Sequence, residues 1–294
     1  MTTESATSAT MRTGRVGVLL PIVYDVYFSA ILAGVAEAAY ERGLQLVLSP
    51  TQHEHAREAS GLDRLMRGAT DGALIILPEE SGAELELALT DGYPLVVIDP
   101  RAPLGDRIPA VAAAHEAGAE QAMEHLLALG HRRIAAITGP PGWMATEARL
   151  RAYHAALARA RIEPEPEWQV ASDFELGPGA AAAAAVLDRP EPPTAIFAFN
   201  DVIAIGAMHA AIERGMRVPE DLSIVGFDDT TYATVVRPAL TTVRQPLGEM
   251  GRAGVGHMLR LLEGELVRPL QIELATRLVV RDSTAPPRRP PGAD

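Results

Sequence analysis

The feature that most constrains this chain is a rhythm. From Val16 onward, short apolar runs alternate with segments of helical periodicity. The runs RVGVLL, QLVLS, ALIIL and LVVID are separated by segments that read as helices near 27–42 and 54–67 and by a short third one. In the first of these, Phe28, Ile31, Leu32, Val35, Ala38 and Ala39 recur at helical spacing, and Gly43 stands where a helix C-cap belongs. This succession implies parallel strands joined by right-handed helical crossovers. The rhythm then restarts with RIAAI, WQVAS, AIFAF and SIVGF, spaced by helices near 146–159, 177–188 and 202–214.

Two such sets predict an α/β fold of two similar doubly wound parallel-sheet lobes joined by crossovers, in place of one sheet. The expected boundaries put 15–130 and 245–270 in an N-terminal lobe and 131–244 and 271–284 in a C-terminal lobe. A helix near 114–129 would link them, and the chain after Arg244 would return to the first. Residues 1–14 and the proline-rich 285–294, APPRRPPGAD, read as unstructured tails.

Composition narrows the function. A net charge of -12 opposes unaided binding to nucleic-acid phosphates, which draws its affinity from cations that displace counterions. The absence of cysteine removes disulfides, thiolate metal sites and cysteine nucleophiles. The start, MTTESATSATMRTGR, lacks the apolar core of a secretory signal, and no run reaches the ~18 apolar residues of a membrane span. A cytoplasmic protein is expected. The segment GPPGW lacks the lysine and hydroxyl of a phosphate loop, no nucleophile elbow occurs, and the histidines read as a solvated face, not a zinc site. No catalytic residue, metal or cofactor is assigned.

The residues with chemistry sit after the apolar runs. In VPEDLSIVGFDD, Asp228 and Asp229 follow a strand whose carboxyl end is where an open parallel sheet holds ligands, so the pair is a binding site or a turn. A metal pair is the weaker alternative, since neither histidine nor a third carboxylate is near in sequence. Asn200 ends AIFAF and can both donate and accept, while Asp201 reads as the N-cap of the next helix. In ATEARLRAY, Thr146 is a candidate N-cap, which puts Arg149 in the first helical turn, where a cation is disfavoured. Arg149 is then either a solvated arginine or one compensated by a ligand, to which a guanidinium offers paired hydrogen bonds.

The segments VPEDLSIVGFDD, AFNDVIAIGAMHAAIERG and HLLALGHRRIAAITGP, with RPALTTVRQPLGEMGRAG and LATRLVVRDST, closely resemble the effector-binding core of the LacI/GalR family of bacterial transcriptional repressors. The resemblance spans about 15–284 and implies the periplasmic-binding-protein type I fold, with a ligand cleft between the lobes. It implies that Arg149, Asn200 and Asp228 contact a small polar effector such as a sugar, with Asp229 capping the loop. It also implies that Phe174 lies against the effector and that Tyr24, Asp25, Tyr27 and Phe28 occupy the first lobe's ligand loop, where Phe28 could equally be core. Asp99 competes as a turn residue, and Gln245 in TTVRQP either touches ligand or serves as a hinge. At Ala114 and His115 the family often has Asp-Asn, so that polar contact is altered here.

Only a short stretch ending in MRTGR leads into the first strand, whereas the family usually carries a helix-turn-helix there. Operator DNA is therefore expected to be contacted only through a head absent from this chain, and the cores are expected to pair as a homodimer. The alternative reading is a stand-alone or transport-linked sugar-binding protein with no DNA role.

Overall fold

The computed structural model describes residues 13–89, 92–268 and 270–288. The expected tails at 1–12 and 289–294 lie outside them. In chain order the elements are β1 (Arg15–Leu20), α1 (Val26–Glu41), β2 (Gln45–Pro50), α2 (His55–Arg64), β3 (Gly72–Ile76), α3 (Gly82–Ala88), β4 (Leu95–Ile98) and β5 (Ala110–Ala113). There follow α4 (His115–Ala128), β6 (Ile134–Thr138), α5 (Met144–Arg159), β7 (Gln169–Ala171), α6 (Leu176–Leu187), β8 (Ala195–Ala198), α7 (Asp201–Glu213) and β9 (Ser223–Asp228). The chain closes with α8 (Thr231–Val235), β10 (Thr241–Arg244), α9 (Leu247–Leu262), β11 (Gln271–Leu274) and β12 (Arg277–Val279).

The strands form two six-stranded sheets, ordered β11-β5-β4-β3-β1-β2 and β12-β10-β9-β8-β6-β7. β1 pairs in parallel with β2 and β3, and β6 with β7 and β8, whereas β12 runs antiparallel to β10. Helices cover both faces of such a sheet, which is why β3, β4, β6, β8 and β9 are buried along their whole length and read as unbroken apolar runs. Each fully buried Leu, Ile, Val or Phe contributes roughly 1.5–3 kcal/mol of transfer free energy.

The chain divides into two compact units. One comprises the chain through Pro100, Leu104–Val111 and Gly248–Ile272; the other comprises Arg101–Pro103, Ala112–Leu247 and the chain from Glu273 onward. These limits differ from the sequence boundaries at 112–130, which the sequence placed in the first lobe. The reason is packing: Ala119, Ala122, Met123 and Leu126 of α4 bury in one cluster with Ile134, Ala136, Phe197 and Val225, so the helix covers the second sheet. At the other end, Ala285 is bonded to Ser223, and Arg288 pairs with Asp221 at 2.7 Å, so 285–288 pack on the second unit and are not a free tail.

Within the first unit, α1 and α9 touch backbone to backbone. A Cβ on Gly34 would meet the Gly248 carbonyl oxygen at 2.0 Å, and one on Gly251 would meet that of Ile31 at 2.3 Å. In the second unit the alanine-rich α6 packs on α7 in the same manner, with Gly206 facing the Leu176 carbonyl. In each sheet the chain leaves a central strand in one direction and then resumes on that strand's other side. The switch points fall between β1 and β3, and between β6 and β8, and the crevice beyond their carboxyl ends is where open α/β sheets bind ligands.

Candidate effector site

Three strand ends of the second unit converge on one buried arginine. Asp228 is the last residue of β9 and Asn200 follows β8 by two residues. Gln245 follows β10, whose last residue, Arg244, is in register with Asp228. Arg149 reaches the ends of β8 and β9 from α5. Its Nη1 donates to the Phe199 carbonyl, its Nη2 lies 3.2 Å from His115 Nδ1 and 4.0 Å from Asp228 Oδ1, and its Cζ stacks 3.8 Å from the Phe227 ring centre. Arg149 is only 3% exposed, so the partners named must offset the loss of its hydration.

The sequence placed Arg149 in the first helical turn behind a Thr146 cap, and the structure corrects this. α5 starts at Met144 with Trp143 as the extended residue before it, and the Met144 amide donates to the Arg101 carbonyl. Thr146 is buried inside the helix, and Arg149 stands in the second turn, away from the unfavourable helix end.

Asp228 has φ +112° and Asp229 φ +56°, so the backbone bends sharply as the strand ends and turns the two carboxylates to different environments. Asp228 accepts a hydrogen bond from Gln245 Nε2 at 2.6 Å. Asp229 is clamped by Arg244 Nε and Arg281 Nη2, each at 2.5 Å. One carboxylate thus joins the arginine cluster and the other fixes the loop. Gln245 is buried, and its Oε1 has no hydrogen-bond partner among the described residues, an acceptor suited to a hydroxyl donor.

Asn200, not Asp201, is the N-cap of α7: its Oδ1 accepts from the Ile203 amide at 2.7 Å, leaving Nδ2 as the polar end that is not engaged in the cap. Asp201 is the first helical residue, fully buried, and receives the Thr230 amide and hydroxyl and the Thr242 hydroxyl. Burial pushes its carboxyl up to about 7. Its role is to tie the loop after β9 and strand β10 to the start of α7.

Phe174 sits over the end of β6. A Cβ on Gly139 would lie 2.1 Å from its Cζ, so only glycine lets the ring settle there, and Trp143 packs on it at 5.5 Å between ring centres. His131 is buried, bonded to Thr194 and Ser223, so the expectation of solvated histidines fails for this one. Among the described residues no group of three or more His, Asp or Glu could hold a metal.

In the first unit the expected ligand residues separate. Tyr24 is exposed, and Asp25 caps α1 by accepting from the Tyr27 amide at 2.8 Å. Tyr27 donates its hydroxyl to Asp99 Oδ2 at 2.6 Å. Asp99 has φ +55°, so it is also the turn residue after β4. Phe28 is core, 6% exposed, with its ring edge-on to Tyr27. Sequence reasoning did not assign His115 or Phe227 to the arginine cluster. Phe227 lay in view beside Asp228, whereas nothing local to His115 signals that α4 delivers it to α5.

Residues 123–284 match the periplasmic binding protein-like domain family. The chain is 33% identical over 270 residues to the HTH-type transcriptional repressor CytR of Escherichia coli (strain K12), covering 91% of this chain and 78% of that protein. The chain belongs to the LacI family of transcriptional regulators. Among solved structures it is similar to the transcriptional regulator CelR in complex with cellobiose, with a TM-score of 0.85 and 31% identity over 92% of this chain and 85% of that one. It is also similar to the lac repressor dimer bound to operator and an anti-inducer, with a TM-score of 0.83 and 28% identity over 94% of this chain and 96% of that one. The chain is the effector-binding core of a regulator.

Proposed function

We propose that Arg149, Asn200, Asp228 and Gln245 bind a polyhydroxylated small molecule, a sugar or a sugar-containing metabolite, and that this binding sets the regulator's affinity for DNA. The observation that carries the reading is the 4.0 Å separation of the Arg149 guanidinium and the Asp228 carboxylate beside the unpartnered Gln245 Oε1. A hydroxyl oxygen can accept from the arginine while its proton goes to the carboxylate, and a neighbouring hydroxyl can donate to the glutamine. Phe174, lying over the end of β6, is the proposed apolar face for the effector. On the first unit, Tyr24, Asp25 and Tyr27 are the proposed contact residues, and Phe28 supports Tyr27 from the core.

The cellobiose complex of the similar regulator supports the sugar class. The operator-bound dimer supports a homodimer that reaches DNA through a separate helix-turn-helix, since a net charge of -12 opposes binding of this core to phosphates. No helix among the described residues is long and apolar enough to cross a membrane, and a cytoplasmic regulator with neither catalytic role nor cofactor is the proposal.

Thermal-shift screening of the full chain against pentoses, hexoses, disaccharides and nucleosides tests the reading. At least one of them should raise the melting temperature saturably, and Arg149→Ala should abolish that rise. A panel with no member that does so contradicts the proposal.

A further inference from the structure

We propose that Trp143 extends the effector site into a second subsite, so that the effector carries two rings, the second seated in the corner that Trp143 forms with Phe174. The inference rests on the assignment of Arg149 and Phe174 to the effector site and names the class of molecule that site takes.

The corner and the arginine are held by neighbouring strands of the second unit. The Phe199 carbonyl, just after β8, accepts from Arg149, and the Phe199 amide donates to the Ile137 carbonyl of β6 at 2.9 Å. Gly139 follows Ile137 by two residues and carries the Phe174 ring. Glycine serves the ring there, not the backbone. Its φ lies outside the left-handed region, so other residues could adopt it, yet a Cβ would lie 2.1 Å from Phe174 Cζ and 2.7 Å from each Cε.

Trp143 is fixed from both sides. Gly142, at φ +81°, turns the chain before it, and the Gly142 amide donates to Glu147 Oε1 at 3.1 Å. After it, the Met144 amide donates to the Arg101 carbonyl at 2.9 Å, and the Arg101 guanidinium stacks 4.3 Å from the centre of the indole. The indole nevertheless remains half-buried, as does Phe174. A large ring that is held in place and still presents surface offers contact area at little further cost in side-chain entropy.

The angle between the rings sets the ligand class. Their planes are inclined at 52° with centres 5.5 Å apart, so one flat ring can lie on either of them but not on both. A single sugar ring with Phe174 on its apolar side uses half of this corner. Two rings joined through a glycosidic oxygen lie in different planes and can use both halves. A second sugar and an aryl group share the chemistry required, because each can turn C–H edges to the negative face of the indole.

The chain has two tryptophans, and Trp168 packs against the core of the second unit, so Trp168→Phe in the full chain leaves Trp143 as the fluorescent reporter. Its emission is titrated with the methyl and phenyl β-D-glycosides of glucose, galactose, xylose and ribose, and with cellobiose and lactose. At least one two-ring compound should shift the emission saturably and bind about tenfold or more tightly than the methyl glycoside of the same sugar, the scale of one aromatic contact. Whether the disaccharide or the phenyl glycoside gains more tells a second sugar from an aryl group. By calorimetry, Trp143→Ala should remove that gain while changing the Kd of the methyl glycoside by less than about twofold, and Trp143→Phe should keep part of the gain. Equal affinity for one-ring and two-ring compounds overturns the inference. So does a Trp143→Ala variant that weakens both alike, the mark of a residue that only supports the fold. If no compound of the series binds, it is the sugar-effector reading that fails. Quenching of Trp143 by 4-nitrophenol then decides alone: a saturable curve supports the ring subsite, and a purely linear one refutes it.

Discussion

Gln245 donates its side-chain amide to Asp228 Oδ1 across 2.6 Å, joining the ends of two neighbouring strands through the carboxylate that lies 4.0 Å from Arg149. That carboxylate works through its charge and its unusual backbone together. Asp228→Asn keeps a side chain that tolerates a positive φ but removes the charge, and should weaken effector binding by about 1.5–3 kcal/mol with the fold retained. Asp228→Ala should in addition lower unfolding stability by about 1–2 kcal/mol, because alanine is strained at φ +112°. Calorimetry separates the first effect and urea unfolding the second.

Asp229 offers a control that spares the ligand. Its carboxylate is 2% exposed and bridges Arg244 and Arg281, so Asp229→Asn leaves two guanidinium groups without their shared counterion. Arg244 is partly exposed and water will screen it, which places the expected loss at about 3 kcal/mol or less in urea unfolding. Effector affinity should change less than in Asp228→Asn.

The first unit predicts a pH dependence of stability. Glu58 is buried with its Oε1 accepting the Glu79 and Glu80 amides at 2.8 and 3.2 Å, and its carboxyl meets that of Glu80. Burial, and then Glu80, push Glu58 up to about 9, and burial also raises Glu80, so one proton is held between two groups that could otherwise only accept. The native state binds that proton more tightly than the unfolded chain. The associated stability is complete below the ordinary carboxylate range and is lost as pH rises toward about 9. Asp201 acts in the same direction but only up to about 7. The melting temperature should therefore fall between about pH 7.5 and 9, and Glu58→Gln, whose amide hydrogen replaces the shared proton, should flatten that fall. A wild-type curve that is level over this range contradicts the assignment.

Much of the fold was legible because strands buried on both faces announce themselves as short apolar runs, and Gly43 marks a helix end through local chemistry, whereas the cap of α7 was read one residue late, at Asp201 in place of Asn200. The position of Asp228 and Asp229 after SIVGF allowed either a binding site or a turn, and the structure shows Asp229 fixing the loop through Arg244 and Arg281. What stayed hidden depends on contacts across long stretches of chain. The ownership of α4 follows from Met123 and Leu126 meeting Phe197, and the start of α5 from an amide bond to Arg101. The Glu58–Glu80 pair joins residues on different elements, and neither has a neighbour in sequence that signals it. The same holds for His115, whose partner Arg149 lies 34 residues along the chain.

The most direct test of the account is calorimetry of wild-type protein and Arg149→Lys with whichever compound the thermal-shift screen selects. Lysine keeps the charge but lacks the rigid planar fork that can span the Phe199 carbonyl and a ligand hydroxyl while stacking on Phe227. The account predicts a loss of about 1.5–3 kcal/mol, roughly 10- to 150-fold in Kd, with an unchanged circular dichroism spectrum. An unchanged Kd for Arg149→Lys would remove Arg149 from the site and contradict the central claim.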